Sequence, residues 1–385
     1  MKKKSVAVML MAMTVMLSAC KERTDLVGEA VIVRDNENRT GCVEGCTCTG
    51  CICCGTVLTD SDPSGAKTSL ASEQETVTQE TTQTAPESEA LPEQPDTQES
   101  TTETEEENIS ELSEGELKAR REQQENFAEA RELLYTLKNS KDKTSKINQM
   151  DRQILANNAY DFSDKNIVFI GDSITEGITS AVDANGNRIS YVTYADSYLH
   201  FKKALNHGMG GRMFSVYGDE ELSLAMNFGN VTNVDSDIIV VFAGVNDYLS
   251  TPANKRFGDV NDKLSTAGYC GSVRYFMKQL QEYYSDREIF FVTTYNNAKK
   301  VTCNYTDING QPTLNDYMEV QRKLAKEFGF HVIDLYKTGL MDCSDKESSD
   351  YYLRDGLHPK DNGNIVLGEH IAAELSLYFG EKEVD

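Results

Sequence analysis

A hydroxyl, an imidazole and a carboxylate form a nucleophilic unit only when the fold brings them within hydrogen-bond reach, and this 385-residue sequence holds a set that could do so. Asp355-Gly356-Leu357-His358-Pro359 puts an acid three residues before a histidine. On a short loop that acid can hydrogen-bond the imidazole, select its tautomer and stabilise its charged form. Ser173 stands in Gly171-Asp172-Ser173-Ile174-Thr175, just past an apolar run. A serine that leaves a strand and opens a helix presents its hydroxyl at the sheet edge, with backbone N–H groups nearby. The plainer role for such a serine is a helix cap. Thr175 stands where the strained Gly-x-Ser-x-Gly elbow would need its last glycine, so that turn is excluded.

Two further stretches could serve an oxyanion. Asn246, in Gly244-Val245-Asn246-Asp247, follows another apolar run, and its amide could donate an N–H. An Asx turn closing the strand is the alternative. Asn206-His207-Gly208-Met209-Gly210-Gly211 is rich in glycine, which lets backbone approach a ligand or simply makes a turn. Each of these stretches alone is weak, and the combination is far more specific. Among the other histidines, His207 in the glycine stretch could touch substrate, His200 and His331 read as structural, and His370 falls in a final helix away from the chemistry. No carboxylate–histidine set has metal-ligand spacing, so no catalytic metal is expected.

These residues need a scaffold, and the second half of the chain supplies its signals. Ile167–Ile170, Ile238–Phe242 and Ile289–Val292 are short continuous apolar runs, with Val332-Ile333 a shorter fourth. Helical stretches lie between and after them, roughly Tyr194–Leu205, Ala267–Tyr284, Leu314–Phe328 and Ile365–Phe379. Apolar strands alternating with helices predict a parallel sheet covered on both faces, a three-layer α/β/α domain over residues 161–385. In such sheets the chemistry gathers at the carboxyl ends of the strands, which is where the serine, the glycines and the asparagine fall.

In this order, Gly-Asp-Ser-Ile, Gly-x-Gly-Gly, Gly-Val-Asn-Asp and Asp-x-x-His-Pro resemble the four blocks of the SGNH (GDSL) hydrolase superfamily, over about Asn166 to Gly380. The resemblance implies a flavodoxin-like sheet of parallel strands, no cofactor, and ester hydrolysis through an acyl-serine. Carried over residue by residue, it implies Ser173 as nucleophile, His358 as general base and Asp355 as its partner. The oxyanion hole would be built from Ser173 N–H, Gly211 N–H and the Asn246 amide, with Gly208 or Gly210 as alternatives to Gly211. The second strand of that fold should precede Asn206, where Phe201–Leu205 carries two lysines and reads weakly. The chain has no tryptophan, so stacking against a sugar would fall to tyrosines such as Tyr217 and Tyr248 beside the motif loops.

The first third is different in kind. Three lysines at positions 2–4, an apolar run from Val6 to Leu17 and Leu17-Ser18-Ala19-Cys20 have the layout of a secretion signal over residues 1–19. The last four residues resemble a lipoprotein lipobox, which implies lipidation at Cys20 and a lipid anchor on the extracytoplasmic face of the cell membrane. Residues 20–60 hold Cys42, Cys46, Cys48, Cys51, Cys53 and Cys54, read as disulfides ahead of a metal site. Residues 61–111 form an acidic Ser/Thr/Glu/Pro linker, expected to be disordered because it offers almost nothing apolar to bury. Residues 112–160 are expected as a solvated helical stalk. The net charge is −24, and between Ser61 and Glu116 sixteen acids face one base. That polar stretch accounts for most of the excess, and without a basic face no nucleic-acid partner is expected.

Overall fold

The computed structural model describes residues 109–216, 220–232, 234–250, 257–261, 268–297 and 312–382. Cys20, the six clustered cysteines, residues 61–108 of the acidic linker and Tyr217 lie outside the described residues.

Five parallel strands form one sheet in the order β2-β1-β3-β4-β5: β1 Asn166–Gly171, β2 Lys203–Gly208, β3 Ile238–Phe242, β4 Glu288–Thr293 and β5 His331–Asp334. The continuous apolar runs become inner strands because both faces are covered. Along β1, Ile167 and Phe169 join one core while Val168 and Ile170 join the other, and β3 and β4 alternate in the same way. Lys141–Ala156 (α2), Tyr191–Leu199 (α4) and Asp361–Lys382 (α11) contribute to the first core. Tyr269–Tyr283 (α7) and Leu314–Phe328 (α8) contribute to the second. The expected three-layer α/β/α fold is present, with a flavodoxin-like strand order.

Two expectations are corrected. The helix expected over Tyr194–Leu205 ends at Leu199, where His200 takes a left-handed φ of 53°, and the chain then enters β2. The lysines that weaken the strand signal stand on the sheet's outer edge; Lys202 and Lys203 are exposed, and charge on an edge strand discourages pairing with another chain.

The stalk is the second correction. Glu114–Tyr135 (α1) and α2 form a helical hairpin that packs into the domain, with Ile147 and Ile154 fully buried in the same core as β1. The apolar stripe of α1 is broken because its inner face is partly polar. Gln124 donates to the Ile154 carbonyl at 3.1 Å and to Ser376 Oγ at 2.8 Å. Arg131 meets Asp151 at 2.5 Å and also pairs with Glu374, while Asp151 Oδ2 lies 2.9 Å from His370 Nδ1. Buried polar groups that find partners can form an interior face, and an apolar-period search cannot see it.

Candidate active site

β1 ends at Gly171, and the one-turn helix Ser173–Glu176 (α3) begins two residues on. Asp172 caps it, accepting the Ile174 N–H at 2.9 Å. The capping role open to the serine is thus taken by its neighbour, and the Ser173 hydroxyl is directed elsewhere. Its Oγ lies 2.8 Å from His358 Nε2, across 185 residues of chain. The other ring nitrogen, Nδ1, lies 2.9 Å from Asp355 Oδ2. A carboxylate, an imidazole and a hydroxyl in this sequence of contacts can draw the hydroxyl proton toward the ring and make the oxygen a nucleophile.

The Asp–His loop is held from several sides. Arg354 N–H donates to the His358 carbonyl at 2.9 Å, and Leu353 and Pro359 form an isolated bridge, closing the turn tightly. Tyr295, fully buried just beyond β4, donates its hydroxyl to the Leu357 carbonyl. Thr179 Oγ1 donates to the Pro359 carbonyl at 3.0 Å, tying the loop to the segment that follows Ser173. Burial alone would raise the Asp355 carboxyl, but the His358 N–H, the imidazole and the Leu357 N–H hold it down at about 2. It is therefore a carboxylate throughout the neutral range.

The glycine stretch runs out of β2 and over α3. Gly208 is pressed so close that a Cβ there would lie 2.1 Å from the Glu176 backbone nitrogen, so only glycine fits. The N–H groups of Gly208, Met209, Gly210 and Arg212 are donated to Asn206 Oδ1 (2.9 Å), Gly171 O (3.1 Å), Glu176 Oε2 (2.6 Å) and Met209 O (3.2 Å). Gly211, at φ +81°, keeps the one N–H of this run that these bonds leave for a ligand. Asn246, in the short helix Val245–Ser250 (α6) after β3, donates from Nδ2 to the Arg212 carbonyl at 2.9 Å. An amide NH₂ has two hydrogens, so this bond fixes the group and leaves the second hydrogen to donate.

Other sequence candidates belong to the strands and helices themselves. His207 is a residue of β2, paired in register with Ile170, and its carbonyl accepts from Arg212 Nη1 at 2.5 Å. His331 opens β5 beside Glu288, at 3.3 Å. Tyr248 packs edge-on against Tyr317, with ring centroids 5.6 Å apart. Among the described residues, no group of three or more histidines, cysteines and carboxylates could hold a metal ion.

Three contributors escape the sequence reading. Asp247, next to Asn246, is fully buried and accepts the N–H groups of Phe214 (2.8 Å) and Ser215 (3.0 Å), fixing the chain beyond the glycines. Glu176 holds Gly210, and Tyr295 holds Leu357. The first two carried a signal, since each sits inside or next to a motif block; Tyr295 carried none.

Several solved structures are similar to part of this chain. One, a protein from Lactobacillus plantarum, is 21% identical with a TM-score of 0.47, covering 55% of this chain and 97% of its own. The acetyl xylan esterase AlAXEase is 19% identical with a TM-score of 0.39, over 55% of this chain and 99% of its own. An aryl esterase of M. smegmatis in an inhibitor-bound form is 16% identical with a TM-score of 0.39, over 55% and 98%. No curated protein matches the chain. Residues 169–365, which span the serine, glycine, asparagine and Asp–His blocks, match the GDSL-like Lipase/Acylhydrolase family, and the chain belongs to that family.

Proposed function

We propose that this protein is a serine esterase that cleaves carboxylic esters by two-step acyl transfer, with Ser173, His358 and Asp355 as its triad. The observation that carries the reading is the continuous chain of contacts from Asp355 Oδ2 through the His358 ring to Ser173 Oγ, at 2.9 and 2.8 Å. Ser173 Oγ attacks the ester carbonyl carbon while its proton passes to His358 Nε2. The Ser173 N–H, the Gly211 N–H and the Asn246 amide receive the negative oxygen, where preorganised donors act most strongly. The tetrahedral intermediate collapses, the C–O bond to the alcohol breaks, and the alcohol leaves with the proton from His358. Water then gives a proton to His358 and attacks the acyl-serine; the acid is released and Ser173 regains its proton.

The substrate class follows from the N-terminal sequence. A lipid on Cys20, followed by an acidic linker, would hold the domain near the outer face of a membrane, beside envelope polysaccharide. We therefore assign it a short-acyl ester, above all an O-acetyl group on carbohydrate.

The test is a panel of p-nitrophenyl esters from acetate upward, with acetylated glycans, a lysophospholipid and an acyl thioester, assayed on wild type and Ser173→Ala. Fastest turnover of acetyl esters, lost in the variant, is expected. Preference for lysophospholipid or thioester would replace the substrate class. No wild-type turnover would leave a binding protein of the same fold. Cys20→Ala should leave kcat/KM on a small ester unchanged and release the protein from the membrane fraction; a variant that still pellets after signal removal would defeat the anchor.

A further inference from the structure

The ester-hydrolase reading needs Gly211 N–H to stay aimed at the oxyanion, and something must hold a glycine-rich turn that still. We propose that Glu176 is a positioning residue for the oxyanion hole, tying the residue before Gly211 to the same helical turn that carries the nucleophile. The proposal rests on the ester-hydrolase reading and deepens it.

Glu176 lies three residues after Ser173 at the end of α3, so its backbone moves with the nucleophile. Its Oε2 accepts the Gly210 N–H at 2.6 Å, a short, direct bond from side chain to backbone. Gly210 precedes Gly211, whose peptide plane is therefore set partly by this bond. Close packing supplies a second constraint, since Gly208 rests on the Glu176 backbone nitrogen without room for a Cβ. The carboxylate thus fixes the peptide next to Met209, whose own N–H is held on the Gly171 carbonyl at 3.1 Å.

A negative group this near a developing oxyanion would oppose catalysis if its charge stood alone. Arg188 Nε lies 3.9 Å from Glu176 Oε1, and the guanidinium also donates to the Ile178 carbonyl at 2.8 Å, which keeps it there. Arg212, nearly buried, adds a second positive charge close by. Glu176 is therefore a balanced anchor, acting through Gly210 and touching no substrate atom.

The test uses the full chain carrying Glu176→Gln, Glu176→Asp or Glu176→Ala, beside wild type and Ser173→Ala. Kinetics on p-nitrophenyl acetate are read with the thermal midpoint and with affinity for phenylboronic acid, whose serine adduct puts an oxygen in the oxyanion position. Glutamine keeps an acceptor oxygen at the same reach, so its kcat should stay within about threefold of wild type. Aspartate keeps the charge but is one methylene short, and alanine loses both. In each of these two, kcat should fall about 10- to 100-fold, with KM within about twofold and boronate affinity falling in parallel.

A purely structural role predicts a lower thermal midpoint with kcat per folded molecule unchanged, and that result would overturn the proposal. So would wild-type kcat in the aspartate variant with loss in the glutamine variant, which would point to charge. Wild-type turnover abolished by Ser173→Ala but indifferent to Glu176 sinks this inference alone. No wild-type turnover, or full turnover in Ser173→Ala, sinks the hydrolase reading and this inference with it.

Discussion

Asp355 grips His358 twice: Oδ2 faces the ring Nδ1 at 2.9 Å, and Oδ1 accepts the backbone N–H of the same residue, also at 2.9 Å. The first contact selects the tautomer that leaves Nε2 free to accept from Ser173. The second stops the carboxylate from rotating away. Asp355→Asn would put an amide into this grip, with its NH₂ able to face Nδ1 and reverse the tautomer. A fall in kcat on the order of 10³–10⁴-fold is expected, with KM little changed, in steady-state assays on a soluble ester.

The same pair sets a pH expectation. With its carboxyl held at about 2, below its ordinary ~3.9, Asp355 stabilises the fold above the ordinary value, and that contribution is lost as pH falls toward 2. Unfolding midpoints measured from about pH 7 down to 2 check the sign; a midpoint that does not fall once the pH is below the ordinary carboxyl value would contradict it.

Asn246→Ala removes an amide that holds the Arg212 carbonyl and has a second hydrogen left to donate. Loss of one oxyanion donor costs roughly 10²–10³-fold in kcat, with a smaller effect on KM. Unchanged kcat in the purified variant would reduce Asn246 to a residue that closes a strand.

Gly208→Ala forces a methyl into backbone, 2.1 Å from the Glu176 nitrogen, where no flexible side chain can yield. Destabilisation of about 1–3 kcal/mol is expected from such overpacking, together with a lower kcat as α3 shifts. Gly115→Ala in α1, where a Cβ meets open space, is the control and should be neutral or slightly stabilising. Equal urea midpoints for the two variants would refute the packing argument.

Asp151 sits fully buried between Arg131 and His370, and burial's tendency to raise its carboxyl is overcome by those two partners. Asp151→Ala leaves the buried Arg131 guanidinium with Glu374 as its remaining carboxylate partner among the described residues, and should cost about 3–5 kcal/mol in equilibrium unfolding. The ester kcat of the folded fraction should stay at the wild-type level. A loss under about 1 kcal/mol would mean that the hairpin is held by its apolar face alone.

Buried carboxyls near Ser173 work in the opposite sense. Burial pushes Asp172 up to about 7 and Asp247 up to about 6. A raised carboxyl favours the fold while protonated, so its contribution is full below ~3.9 and is lost as pH rises through the folded value. Thermal midpoints should therefore decline from about pH 4 to 7. Asp172→Asn, which keeps an oxygen to cap Ile174, should decline less steeply; an identical slope would remove Asp172 from the explanation.

The inner strands and the motif blocks were legible from sequence for a local reason. A strand buried on both faces must be apolar at every position, and Ile238–Phe242 or Ile167–Ile170 can satisfy that in few other ways. Chemistry at the carboxyl edge then follows from chain order, which is why Ser173, Asn246 and the Asp355–His358 loop could be picked out one block at a time. What only the tertiary structure decided are relations between distant segments. Lys203 opens a strand because it lies at an edge, a position no local pattern marks. The helices of residues 114–156 join the domain because Gln124 and Arg131 find Ser376 and Glu374, over 240 residues away. Gly211, not Gly208 or Gly210, keeps a backbone N–H to offer, because Asn206 and Glu176 take the other two. Composition and period report what one segment needs to bury; which partner satisfies a polar group depends on where folding brings the rest of the chain.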